Sequence, residues 1–347
     1  MGVEEEFLLV DAQGIPNPAG PRVTAGTQEG IEHELQQEQA ETGSRPRIEL
    51  GPLAEDLRLR RRSLAGRARR SGVRVAGLGT SPVRTDPTLF PDERYRRMVA
   101  RYGPIAAEVL TCGCHVHVGI DSEAEGIAAI NGIQPWLSAI LALTANSPFW
   151  QGADTGYASY RRQIQDRWPS SGPTGVFRDP ADYHSLVDRL IGSGVILDAG
   201  MVYYDVRLSA RYPTVEMRVA DVGAEPDSAL VVAALGRALV DSAISGGSWP
   251  TARPELLRGA SWHASRYGLT ADLVDPVSGQ RIPAPERLQQ LVDRVRPALI
   301  RHDDLDLVET ALEDLLKNGT GAERQRAAFA REGSLPGVVL DAVERGL

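Results

Sequence analysis

The stretch GVEEEFLLVD, residues 2–11, constrains the fold more than any other. Its Val, Phe and Leu residues ask for a buried strand, yet three consecutive glutamates open it. Side chains alternate across a strand. Glu4 and Glu6 therefore share one face, and Glu5 sits on the other with Val3, Phe7 and Leu9. Two later stretches divide the same way. In CGCHVHVG, residues 112–119, Cys112, Cys114, Val116 and Val118 make an apolar face, with His115 and His117 opposite beside Gly113 and Gly119. In TVEMRVAD, residues 214–221, Val215, Met217 and Val219 face one way, Glu216 and Arg218 the other.

If these strands share a sheet, one side packs on helices. The other carries Glu4, Glu6, His115, His117, Glu216 and Arg218. Crowded carboxylates repel and hold their protons too tightly unless cations balance them. Bound Mg²⁺ or Mn²⁺, which prefer carboxylate oxygens, would do so. Taken alone, the glutamates also suit a solvated strand edge. The rival for CGCHVHVG is a Cys₂His₂ zinc site, but a strand separates its cysteines from its histidines, so one tetrahedral site needs a bulge or turn. The cysteines read instead as small buried hydrophobes.

Elsewhere the pattern predicts an arginine-rich helix over 53–72, a strand over 73–80 and a helix over 92–110 with Asp92 near its start. Helical stretches interrupted at Pro135 follow residue 121, then a helix over 180–192 and strands at MVYYDVRLS and PTVEMRVAD. Residues 146–177 are too ordered for a linker and too broken for one element. Their Trp150, Tyr157, Tyr160, Arg161 and Trp168 fit either a substrate wall or a structural clasp. From about residue 225 the period is helical. The whole reads as α+β in a single domain, a sheet core over about 1–222 and a helical part over about 223–347. A net charge of −8 argues against a nucleic-acid partner, despite RLRRRSLAGRARR at 58–70. No apolar run is long enough to span a bilayer, and no positive leader precedes the acidic start, so a cytoplasmic protein without a membrane partner is expected. Two cysteines build no disulfide framework. Lys317 is the one lysine, which excludes P-loop and Schiff-base chemistry and leaves phosphate charge to arginine and metal ions.

GVEEEFLLVD, CGCHVHVGI, ANSPFWQGADTGYASYR, RWPSSGP, RYPTVEMRVAD and GTGAERQR occur in that order along essentially the whole chain. Together they resemble the carboxylate-amine ligases of the glutamate–cysteine ligase type 2 group. The resemblance implies a fold like the catalytic domain of glutamine synthetases and guanidino kinases: a mainly antiparallel, funnel-like sheet flanked by helices, with a helical C-terminal third. It implies ATP as cosubstrate with Mg²⁺ or Mn²⁺, small-molecule carboxylate and amine substrates, weak glutamate–cysteine ligase activity through an acyl phosphate, and a homodimer. Carried over, the metal ligands are Glu4, Glu6, Glu34, Glu41, His115 and Glu216. Glu216 and Arg218 take catalytic roles, and His117, Trp150, Tyr157, Arg161, Arg207, Arg211 and Arg218 contact substrate or ATP. The chain departs from the group at Gly43 and Ser44, where Thr-Pro is usual, at Ser81, where histidine is common, and at Ala220, where cysteine is usual. Alternative readings are an amide synthetase with another acid or amine, a metal-dependent hydrolase, and a non-catalytic ATP- and metal-binding protein.

Overall fold

Strand β1 (Gly2–Val10) runs through the middle of a seven-stranded sheet in the computed structural model, which describes residues 1–26 and 30–346. The other strands are β2 (Ile31–His33), β3 (Gln39–Gly43), β4 (Arg74–Ala76), β5 (Gly113–Gly119), and, after a small hairpin of β6 (Phe149–Trp150) and β7 (Ala153–Asp154), β8 (Val206–Leu208) and β9 (Thr214–Asp221). The order is β2-β3-β1-β5-β9-β8, with β4 also on β1, and every pairing is antiparallel. Between these strands come α1 (Gly20–Val23), α2 (Leu50–Arg70), α3 (Glu93–Tyr102), α4 (Pro104–Ala107), α5 (Glu123–Ile133), α6 (Leu137–Leu143), α7 (Tyr160–Gln165) and α8 (Pro180–Gly192). The C-terminal part holds α9 (Asp227–Ile244), α10 (Pro254–Tyr267), a hairpin of β10 (Leu273–Val274) and β11 (Arg281–Ile282), α11 (Ala284–Arg301), α12 (Leu305–Asn318), α13 (Gly321–Glu332) and α14 (Leu335–Arg345).

The apolar faces of β5 and β9 pack under α5, α6 and α9. Helix α9 is apolar on nearly all sides, and such a helix must be enclosed. Gly236 brings it against Met217, leaving no room for a Cβ. A second core joins Phe7 to Val10 with Leu64 and Ala68 of α2 and Val339, Ala342 and Val343 of α14. Glu5 is fully buried on this helix-covered face. Arg61 of α2 grips it with Nε to Oε2 at 3.0 Å and Nη2 to Oε1 at 2.5 Å. Cys112 and Cys114 also turn into the cores, and among the described residues no cation-competent cluster contains a cysteine.

Several expected elements are shorter than their patterns. The helix predicted over 92–110 breaks at Gly103, whose φ of +56° stops α3, and Pro104 starts α4 afresh. Asp92 caps α3 as expected, accepting from the N–H of Arg94 and Tyr95. The strand predicted over 73–80 keeps only Arg74–Ala76, because Gly77 then presses on the Gly223 carbonyl, where a Cβ would stand at 2.5 Å. MVYYDVRLS begins in a 3₁₀ turn and pairs only over Val206–Leu208. Pro135 sits in a 3₁₀ turn that joins α5 to α6. That run, Glu123–Leu143, has the length and composition to cross a membrane, but most of it is buried inside the fold, as core helices are.

Candidate active site

Strand register assembles the acidic face. Glu6 lies opposite Glu41, Glu4 opposite His115, His117 opposite Glu216, and Glu216 opposite Arg207. Opposed residues of antiparallel strands project to the same side. A bulge on β9, where the register slips between Cys114 and Val116, sets Arg218 near His115. Glu34, just past β2, meets Glu41 by a side-chain hydrogen bond. The result is three overlapping donor groups, Glu4–His117–Glu216, Glu4–Glu41–His115 and Glu6–Glu34–Glu41, each with its donor atoms within 4.8 Å of one another.

The imidazoles test whether this set suits a cation. His115 stands 3.6 Å from Glu4 and 3.7 Å from Glu6, and His117 Nε2 stands 3.4 Å from Glu4. Both Nε2 atoms are buried with no hydrogen-bond partner. His117 Nδ1 is held at 2.9 Å by the Thr214 hydroxyl, which fixes the ring and leaves Nε2 directed at the carboxylates. Oxygen-rich groups with one imidazole suit a hard divalent cation.

Charge divides the face into two ends. Burial would raise the Glu216 carboxyl, but Arg218, Arg207 and His117 hold it well below the usual range. Arg207 grips it with Nε at 2.8 Å and Nη2 at 3.2 Å, and Arg218 Nη1 closes on the same carboxylate. Burial would also raise Glu4, but His115 and His117 hold it low. The other end lacks such help. Burial and Glu6 push Glu34 up to about 7, and burial with Glu34, Glu4 and Glu6 pushes Glu41 well above the usual range. Burial and Arg218 lower His115. One end is therefore a carboxylate already matched by arginines, and the other a cluster short of positive charge.

Other expected contact residues lie elsewhere. Arg161 is 1% exposed, so it cannot wall an open pocket. Its guanidinium fills the space that a Cβ on Gly113 would take, stands 3.8 Å from Asp221 and reaches the Arg218 carbonyl at 3.4 Å. Arg161 is thus buried at the Gly113 end of the polar face, between Asp221 and the Arg218 backbone. Tyr157 packs toward α10 and α13: Trp262 donates to its hydroxyl at 3.3 Å, and Arg266 stacks on its ring. Trp150, half-buried, packs near Tyr160. Segment 146–177 behaves as a clasp. The Asn146 N–H and the Ser147 and Ser159 hydroxyls all donate to Asp221 at the end of β9, while Phe177 exchanges hydrogen bonds with Asn131. Arg211 is exposed on the β8–β9 turn beside Tyr212, whose ring meets the His117 ring edge-on at 6.0 Å.

Tyr203 feels the charges of the site and is not singled out by the sequence reading. Burial raises its hydroxyl's pKa, opposed by the charges of Arg94, Arg218 and Arg207. Its ring packs 5.2 Å from that of Trp168. Tyr203 lies before β8 begins, so strand alternation gives no signal for it.

The sequence profile of glutamate-cysteine ligase family 2 matches residues 1–341. The chain belongs to that family. It is 46% identical to a Frankia alni protein named "Putative glutamate--cysteine ligase 2-2", covering 98% of this chain and 94% of that one. It is 44% identical to "Putative glutamate--cysteine ligase 2" of Streptomyces coelicolor, covering 99% and 98%. Among solved structures, a glutamate–cysteine ligase from Francisella tularensis in complex with AMP superposes with a TM-score of 0.73 at 14% identity, over 99% of this chain and 87% of that one. A bifunctional glutathione synthetase from Pasteurella multocida gives 0.69 at 13% identity, over 99% and 52%. At such identities these two show the shared fold. This family member is thus a ligase on an antiparallel sheet flanked by helices.

Proposed function

We propose that this ligase joins a carboxylate to an amine through an acyl phosphate made from ATP, with glutamate and cysteine as the first pair to test. The observation that carries the reading is the run of donor groups sharing Glu4 and Glu41, closed at one end by Arg207 and Arg218. Mg²⁺ or Mn²⁺, which Glu4, Glu6, Glu34, Glu41, His115, His117 and Glu216 would hold, supplies charge neutralisation for the phosphate oxygens. Arg218 and Arg207 add fixed positive charge on the side of Glu216, suited to transferring phosphoryl oxygens. The substrate carboxylate oxygen attacks the γ-phosphorus as ADP leaves. The amine nitrogen then attacks the acyl carbon, phosphate departs, and the nitrogen gives up a proton. No protein nucleophile is needed, in keeping with the chain's single lysine lying at the end of α12.

The test replaces the amine with hydroxylamine. Glutamate, ATP and Mg²⁺ should yield a hydroxamate with stoichiometric ADP and phosphate. AMP and pyrophosphate as products would overturn the acyl-phosphate route. Panels of other acids and amines then rank the substrates, and release of product without ATP would mark a hydrolase.

A further inference from the structure

A cavity of about 840 Å³ lies behind the sheet, on the side away from the acidic face. Its place is fixed by β5: Cys114 lines the cavity, and the next residue, His115, points the opposite way toward Glu4. Helices α2, α9, α12, α13 and α14 enclose it. Ala54, Leu230, Leu307, Ala311 and Leu315 give the walls their apolar character.

Close-packed interiors do not leave hollows of this size without cost. The volume falls within the roughly 300–1,000 Å³ typical of small-molecule sites. The charges around the mouth decide what could enter. Arg58 pairs with Asp227 at 2.7 Å, Arg324 with Asp314 at 2.9 Å, and Arg345 with Asp341 at 2.7 Å. Glu225 lies 3.4 Å from both Arg324 and Arg345. Each of the three arginines is already matched. Of the two other acids on the lining, Asp221 is buried and accepts from the Asn146 N–H and the Ser147 and Ser159 hydroxyls, and Asp306 is exposed in the first turn of α12, where the helix dipole favours it. An anionic ligand would find no arginine waiting and would have to displace an existing pair. An uncharged apolar molecule gains the wall area at no such penalty.

We propose that this cavity is a second binding site, distinct from the ATP and metal face, for a neutral, largely apolar small molecule. The sheet separates the two sites, so they fill independently in the steric sense. Small side chains keep the hollow open, and Ala311 and Ala54 are the places to close it.

Nile red, a neutral apolar dye that brightens out of water, is the probe, with the anionic dye 1-anilinonaphthalene-8-sulfonate as its charged counterpart. Wild-type protein should bind Nile red saturably at one site, more tightly than the sulfonate, with MgATP failing to displace it. Ala311→Phe, which fills the hollow from α12, should weaken Nile red at least tenfold without lowering the melting temperature. Ala54→Leu fills it from α2 and serves if the first variant does not fold. Absence of saturable binding, unchanged affinity in the folded filling variants, tighter binding of the sulfonate, or displacement by MgATP would each overturn the proposal.

Discussion

Replacing Glu34 with glutamine should make the cation-free protein more stable and the enzyme worse. Burial and Glu6 push the Glu34 carboxyl up to about 7 from an ordinary 4.5. At ~1.4 kcal/mol per pH unit that gap is worth at most ~3.5 kcal/mol. Glu34 retains partial solvent contact and bonds to Glu41, so about 1–3 kcal/mol is the usable range. The sign follows from linkage. The folded-state value lies above the unfolded one, so the folded protein holds the extra proton. Stability then declines as pH rises from about 4.5 to about 7, and the penalty is complete above that. Glutamine never ionises, and its amide can still donate to Glu41. In EDTA at pH 8, Glu34→Gln should therefore exceed wild type by about 1–3 kcal/mol, or roughly 1–4 °C in melting temperature for a chain of this length. At pH 5 the advantage should vanish. Added Mg²⁺ should reverse the order, stabilising wild type more than the variant, and ATP turnover should fall at least tenfold. Chemical and thermal melts at both pH values, with and without Mg²⁺, supply the readout. A variant less stable than wild type at pH 8 in EDTA would refute the claim that this end of the site lacks positive charge.

Three further substitutions divide the roles of neighbouring groups. Glu216→Gln leaves Arg207 and Arg218 on a neutral amide, and turnover at limiting Mg²⁺ should fall by about 100-fold or more with the circular dichroism spectrum unchanged; wild-type turnover there would remove Glu216 from the site. Arg161→Ala strips a buried cation from Asp221, so the urea midpoint should drop by the equivalent of about 3 kcal/mol while KM for ATP stays within about twofold; a raised KM with intact stability would restore Arg161 to the substrate wall. Glu5→Gln breaks the enclosed pair with Arg61 at a cost of about 3–5 kcal/mol, with Mg²⁺ affinity of the folded protein unaltered; weakened Mg²⁺ binding would contradict the separation of the two faces of β1.

Alternation alone placed Glu4, Glu6, His115, His117, Glu216 and Arg218 on one face, because each lies in a strand long enough for the period of two to show. It also set Glu5 apart, though nothing local named Arg61 as its partner 56 residues on. Glu34 and Glu41 were reached only by resemblance. One lies past the end of a three-residue strand, and neither β2 nor β3 is long enough to announce itself. Arg161 and Tyr157 stood open between substrate wall and clasp for a physical reason. An Arg or Tyr in a glycine-rich segment reads as a binding residue, but whether it faces a ligand or braces a scaffold depends on contacts with Asp221, Trp262 and Arg266, all distant in sequence. The β9 bulge and the cavity behind the sheet have no sequence signal, since both arise from how finished elements meet.

The distance along the chain between Glu4 and its last partners has a consequence for synthesis. At about 5–20 residues per second, a ribosome takes on the order of 10–40 s to go from Glu4 to Glu216. Through about half of that interval β1 has only the short strands β3 and β4 to pair with, its neighbour β5 does not yet exist, and β3 adds a further carboxylate, Glu41. Unpaired apolar strands are what nascent chains aggregate through, and charges within such a strand resist that pairing. Glu4 and Glu6 are therefore expected to oppose such pairing during translation, a role that ends once the sheet closes around them.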